Sequence, residues 1–363
     1  MDVLHARLQG VRVLRVSEVP DPFFSETGLA PEPDYKVAIP PDKGRMAAAL
    51  WLFVRSRFLP ALITLWLISI IVFASTHVLG INVGRRVLGR QATPAQLDEF
   101  SRAHGLDKPV LQQYSAWLSD FVKGDWGTSA VSGRPVSDIV MPRLVNTLIL
   151  ALAAIIIALP ISIAFGIYLA RPGSRTRELT LSIATVSVAA IPVFVIGIVL
   201  IYGLSVKLGW TPVDSTGMAF GAWNDKVAAF ILPTLTLVIS LLPHISRLTQ
   251  VSVRETMTTP YARAAVLRGL TRRTITYRHL MPNAAGPIIN VVALDLIWLI
   301  GGVIIVENVF GFPGLGTLLV ESIASGDLLV VQAVAMVCGV LFIGIGITAD
   351  ILVTVFNPRL RNG

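Results

Sequence analysis

Apolar residues in this 363-residue chain gather into six long runs separated by polar segments. The runs cover residues 58–78, 144–170, 179–206, 227–243, 284–306 and 328–356. The first three contain no Lys, Arg, Asp or Glu. The fourth is shorter and continues into His244 and Arg247, while the fifth and sixth hold one acid each, Asp295 and Asp350. About 20 apolar residues in helix cross the hydrocarbon layer of a bilayer, so the pattern predicts an all-α integral membrane protein with six transmembrane helices. Pro160, Pro192, Pro233 and Pro287 fall inside these runs. Spans tolerate proline where neighbouring helices re-satisfy the backbone groups it frees.

Composition points the same way. Hydrophobic residues make up 54% of the chain and charged residues 14%, against about 25% charged in soluble domains. The net charge of +8 would suggest nucleic acid only if the basic residues clustered on a solvated domain. They lie instead in short segments between apolar runs, as topology signals do. With a cytoplasmic N-terminus, twenty of the 30 Lys and Arg fall on the inner side, so both termini are expected in the cytoplasm. The single Cys338 excludes an intrachain disulfide and reads as a core thiol.

Residues 1–47 hold no long apolar run and are not a signal peptide. Leu4, Leu8 and Val11 at helical spacing beside Arg7, Arg12 and Arg15 fit a short basic helix over 3–16 that touches lipid. Six prolines between positions 20 and 41 fit a disordered tail equally well. Either way this is a cytoplasmic extension, dispensable for the pore, ahead of a transmembrane domain at 48–361.

The loop at 79–143 is expected outside and folded. Thr93-Pro94 predicts a helix start and Gly105 its stop. Asp107 opens a second helix whose Leu111, Tyr114, Trp117, Leu118 and Phe121 form one stripe ending at Gly124. Such a stripe packs onto its own protein or meets a ligand.

The inner loop at 249–283 is the most informative. It reads Tyr261-Ala262-Arg263-Ala264-Ala265-Val266-Leu267-Arg268-Gly269, then Arg278-His279-Leu280-Met281-Pro282-Asn283. Strong helix formers followed by Gly269 predict a short helix. Its small, basic face suits a partner's groove, or the loop serves only to fix topology. Within the fifth run, Asp295 shares a helical face with Val291, Trp298 and Gly302. A charge at membrane depth avoids lipid by facing a watery path or a partner helix; Asp295, Trp298 and Gly302 are therefore candidates for a translocation path favouring substrates with a positive group. Asp350, on one face with Gly346 and Thr354, is expected to be structural, paired with a cation such as Arg247. The five histidines are scattered, and no phosphate-binding Gly-x-x-x-x-Gly-Lys-Ser/Thr occurs. No catalytic or metal site is predicted.

The segment 261–282 resembles the coupling loop of ABC importer permeases, whose pattern is Glu-Ala-Ala, three residues, Gly, then hydrophobic-x-Leu-Pro. Ala264, Ala265 and Gly269 match in register, and Leu280-Met281-Pro282 matches the end loosely. Arg263 replaces the Glu, as in the Tyr-x-Arg-x-Ala-x-x-x-Gly-Leu form of the oligopeptide, dipeptide and nickel branch. Arg143-Leu144-Val145-Asn146-Thr147-Leu148, Gly124-Asp125-Trp126-Gly127, Ser132-Gly133-Arg134-Pro135-Val136, Glu307-Asn308-Val309-Phe310 and Pro313-Gly314-Leu315-Gly316 also resemble that family.

The resemblance implies a type I ABC importer permease fold, with Tyr261, Arg263, Ala264, Ala265, Gly269 and Pro282 in ATPase coupling. It implies a second homologous permease, two ATPase subunits carrying ATP and Mg, and an extracytoplasmic solute-binding protein. This chain itself would hold no cofactor. Peptide-like substrates are implied, with nickel chelates or glutathione-type compounds as the branch's alternatives. A secondary transporter would instead show internal repeats and broken helices, and would leave the coupling motif unexplained.

Overall fold

The computed structural model describes residues 13–14, 37–38, 43–78, 91–103, 107–171, 173–215, 217 and 222–356. Nearly all of them are helical. The exception near the start is a two-residue antiparallel pair, Val13–Leu14 with Val37–Ala38. The rest of the expected 3–16 helix lies outside the described residues, as does Gly105.

The helices are α1 Lys43–Val78, α2 Pro94–Ala103, α3 Val110–Lys123, α4 Val136–Ala170, α5 Arg175–Ala190 and α6 Val193–Leu200, the last running into the π-helical turns Ile201–Lys207. There follow α7 Trp223–Met257, α8 Pro260–Leu267, α9 Arg272–Thr274 with the π-helical turns Ile275–Leu280, α10 Met281–Phe310, α11 Leu315–Ser325 and α12 Leu328–Phe356.

Five of the six expected spans are single helices, in α1, α4, α7, α10 and α12. The apolar run at 179–206 is not a straight span: α5 and the helix that begins at Val193 meet with a 98° bend. The break falls at Ile191-Pro192. Pro192 supplies no N–H, and Ile191 before it is extended at φ −78° and ψ 124°. Pro160, Pro233 and Pro287, by contrast, lie within continuous helices. The short run at 227–243 proves to be part of a 35-residue helix that carries on through His244 and Arg247.

Three apolar clusters fill the bundle from end to end. The central one joins Leu150, Ala154 and Ala158 of α4 to Leu237, Leu241 and Ile245 of α7 and Leu299, Val303 and Val306 of α10. At the α8 end, Ile167, Ala170 and Val253 pack with Ala262, Ala265 and Leu280. At the opposite end, Val136 and Val140 pack with Leu315, Leu318, Val330 and Val334. Cys338 joins this last cluster as a partly buried packing residue.

The amphipathic stripe of α3 packs onto its own protein. Tyr114 shares a 2.7 Å hydrogen bond with buried Ser69 of α1, and Phe73 lies 5.4 Å from the Tyr114 ring and 5.7 Å from Trp117. Phe121 stacks on Trp126 at 5.4 Å. Leu111, at the start of the stripe, stays exposed. The helix begins after Pro109 rather than at Asp107, and Gly124 closes it at φ +88°. The N-terminus of α2 is fixed by a reciprocal cap: Thr93 N–H donates to Gln96 Oε1 at 2.9 Å and Gln96 N–H to Thr93 Oγ1 at 3.4 Å.

α4 and α7 run side by side and are in close contact at Gly166. A Cβ there would lie 2.5 Å from both the Ser246 carbonyl oxygen and Thr249 Cβ, so any larger residue forces the helices apart. Overpacking of this kind costs about 1–3 kcal/mol. Gly166→Val is expected to lower the thermal midpoint of the detergent-purified protein, whereas Gly346→Ala, where nothing lies within 4 Å of the added atom, leaves it unchanged or higher; thermal size-exclusion profiles check both.

Candidate functional site

Among the described residues, three places where polar groups meet bear on function. The first is a sealed knot around Glu307. α10 ends at Gly311, whose φ of +59° lets the chain turn back, and residues 312–314 lead directly into α11. Glu307, one turn before that end, is fully buried. Thr147 Oγ1 of α4 donates to its Oε1 at 2.6 Å, and the Gly316 N–H donates to its Oε2 at 2.6 Å. Thr147 Oγ1 also accepts from the Leu315 N–H at 2.9 Å, and Asn146 Nδ2 donates to the Pro313 carbonyl at 2.8 Å.

Two regions of the chain 160 residues apart thus close on one carboxylate. Its tight enclosure explains the glycines: a Cβ on Gly314 would fall 2.0 Å from Glu307 Oε1, and one on Gly316 would fall 2.7 Å from Ile304 Cα. The role of Glu307 was missed in the sequence. The available signal was an acid directly after an apolar run, followed by Pro-Gly-Leu-Gly.

The second place is α8 and its surroundings. Pro260 occupies the first helical turn. The helix ends with Gly269 at φ +71°, where the Gly269 N–H bonds to the Val266 carbonyl and the Leu270 N–H to the Ala265 carbonyl; this double bond is the Schellman closure that favours glycine. Ala262 and Ala265 are buried against the bundle. Ala265, expected among the residues that contact a partner, therefore seats the helix on its own chain. The outward face carries Tyr261, Arg263, Ala264, Val266 and Leu267, with Leu267 88% exposed. Pro282 lies exposed in the first turn of α10.

Just above α8, Arg254 Nη2 straps three elements, lying 3.1 Å from Glu178 Oε1 of α5 and donating to the Leu169 carbonyl of α4 at 3.2 Å. Gln250 Nε2 donates to that same carbonyl at 3.2 Å. Asp350 lies half-buried on α12, and Arg247 is exposed on α7.

The third place is Asp295. Its side chain is 12% exposed and lines a pocket otherwise made of Ile155, Ala158, Leu159, Leu241, Ile245, Val292 and Leu296. His244 of α7, not singled out in the sequence, comes within 3.9 Å of Asp295 Oδ1 through its Nδ1. The His244 ring stacks on Trp298 at 6.2 Å between centroids and 22° between planes. Trp298 in turn lies back over Gly302, whose added Cβ would meet the indole at 3.5 Å. The expected stripe of Asp295, Trp298 and Gly302 is therefore contiguous, with His244 as a fourth member.

A bundle of apolar helices with a short helix presented at one end defines a multi-pass membrane protein, and comparison with known proteins assigns the class. Residues 159–362 match the family described as binding-protein-dependent transport system inner membrane component, and residues 50–151 match the N-terminal part of that membrane component. The chain belongs to this family and is the permease subunit of an ABC importer in the bacterial plasma membrane, from the branch of peptide, glutathione and nickel permeases. Such permease subunits are generally non-catalytic and work with ATPase and binding-protein partners.

It is 34% identical over 310 residues to the glutathione transport system permease protein GsiC of Escherichia coli, covering 85% of this chain and 98% of that protein. The same identity and coverage hold for GsiC of Shigella dysenteriae serotype 1. Among solved structures, a chain of the MetNI methionine ABC transporter in an inward-facing conformation superposes with a TM-score of 0.47 and 20% identity, over 59% of this chain and 92% of that one.

The knot makes a direct prediction. A hydrogen bond to a charged group contributes about 1.5–3 kcal/mol, and orphaning a buried partner costs at least as much. Thr147→Val and Gly314→Ala are each expected to lower the thermal midpoint and the yield of monodisperse protein, with Asn308→Ala, on an exposed residue next to the knot, as a mild control. Wild-type stability in Thr147→Val would contradict the knot's role.

Proposed function

We propose that this chain forms half of the translocation pathway of an ATP-driven importer for peptides or similar small solutes, with both termini in the cytoplasm. Loop 255–283 would dock on an ATPase subunit, and a second homologous permease would complete the pathway. Two ATPase subunits would carry the ATP and Mg, and an extracytoplasmic binding protein would deliver the solute. Residues 1–47 would form a cytoplasmic extension not needed for the pore.

The observation that carries the coupling assignment is the two-sidedness of α8. Its alanines at 262 and 265 are sunk into the bundle, while Val266 and Leu267 stand in the open. An apolar side chain that far out on a loop helix is costly in water and favourable in a partner's groove. Since α8 follows α7 after two residues and packs on α4 and α7, a force on it would be delivered to the core of the bundle. ATP would bias a rigid-body switch between inward- and outward-facing states from one side, and the loaded binding protein would bias it from the other. For the solute, the relatives named as glutathione permeases support a small peptide-like compound, and glutathione itself is the reading they favour next.

Gly269→Val places a β-branched residue in the left-handed region, at a cost of about 1–2 kcal/mol to the turn, and Leu267→Asp removes the apolar contact. Both variants are expected to insert normally, to lose solute uptake at least about tenfold, and to leave ATP hydrolysis unresponsive to the loaded binding protein. Reconstituted vesicles that couple hydrolysis and uptake are the assay, and unchanged uptake in both variants would refute the docking assignment.

A further inference from the structure

We propose that Asp295, His244 and Trp298 form a subsite in the translocation pathway for an ammonium group of the solute. The inference rests on the pathway reading above and adds the chemistry that the pathway selects.

Three observations meet here. Asp295 Oδ2 is buried with no hydrogen-bond partner among the described residues. A polar atom left so at membrane depth is costly unless something supplies a donor. On the other oxygen, the His244 Nδ1 lies at 3.9 Å, too far for a direct hydrogen bond, whose usual range is about 2.7–3.2 Å. The gap suits a bridging donor. With His244 neutral and protonated on Nε2, its Nδ1 accepts, and a nitrogen about 2.8 Å from Nδ1 and from Asp295 Oδ1 would see the two at roughly 90°, within reach of two N–H groups of an ammonium.

The third observation is the aromatic wall. The His244 ring and the Trp298 indole lie nearly parallel, and both are about half exposed. The mouth of the site is therefore open in the single chain. An indole face beside a carboxylate favours a cation over a neutral group. Behind the carboxylate, Leu241, Ile245 and Val292 line a small apolar recess with no second charged residue, so nothing there competes for a cation bound at Asp295.

The test uses the assembled importer in nanodiscs, without its binding protein, and tritiated L-leucinamide as the probe. Wild type is expected to bind it saturably. N-acetyl-L-leucinamide, which keeps the side chain and loses the charge, is expected to compete at least about tenfold more weakly, in line with a charge-assisted hydrogen bond. Asp295→Asn should remove that preference, His244→Ala should reduce it, and Asp295→Glu should retain most of it. The comparison of the two probes on wild type needs no variant, so a folding defect in Asp295→Asn cannot decide the outcome. Equal competition by the acetylated probe on wild type, or an undiminished preference in a well-assembled Asp295→Asn, would overturn the proposal. ATP-driven uptake by the same complex is followed in parallel: uptake without amine preference sinks this inference alone, and absence of any ATP-driven uptake sinks the pathway reading beneath it.

Discussion

Lipid offers no hydrogen bonds, so every polar group carried into the bilayer must be satisfied by the protein itself. Glu307 shows what that constraint demands here. Its two carboxylate oxygens take a hydroxyl from α4 and a backbone N–H from the start of α11. The helix that carries it must therefore stop, turn and hold a second chain segment against a third. Gly311 makes the turn, and Gly314 and Gly316 permit the approach. With Thr147 shared between the carboxylate and the Leu315 N–H, α4, α10 and α11 are locked at one end of the bundle.

The other end is held differently, by close backbone approach and by cations, with Arg177 of α5 donating to the Tyr168 carbonyl of α4. Gly166 brings α4 against α7, and Arg254 ties α7 to α4 and α5. Between the two ends the core is apolar and continuous through α4, α7 and α10. These three helices have little freedom to slide, which suits a bundle that moves as a body. α1 stands apart from this core, docked on α3 through Tyr114 and on α12 near Gly339. Much of its apolar surface remains exposed within the single chain, as expected of a helix facing lipid or another subunit.

How much of this was legible in the sequence depends on how local each signal is. Hydropathy located the spans because transfer to lipid is a property of a segment by itself. It misjudged α4 and α7, which extend past their apolar runs into Asp138 and Arg254, because a helix can continue beyond the membrane wherever packing supports it. It also read 179–206 as one rod. Pro192 breaks that rod while Pro160, Pro233 and Pro287 do not, and only the neighbours of each proline decide which outcome holds.

The glycine stop of α8 was legible, since a positive φ after a helix favours glycine whatever the surroundings. The direction each alanine faces was not: Ala264 points out and Ala265 in. Asp295 stood out as a lone charge in an apolar run, but its neighbour His244 lies 51 positions away on another helix. Glu307 was likewise opaque, because its partner Thr147 is 160 residues distant.

The central claim is that the outward face of α8 is where force enters this bundle and that its inward face passes the force on. Site-specific photo-crosslinking in the assembled importer tests it most directly, with a photoreactive residue placed in turn at positions 267 and 265. The account predicts a crosslink to the ATPase subunit from position 267, changing in yield when nucleotide is added. From position 265 it predicts only crosslinks within this chain. ATPase crosslinks from 265 but not from 267, or from neither, would contradict it.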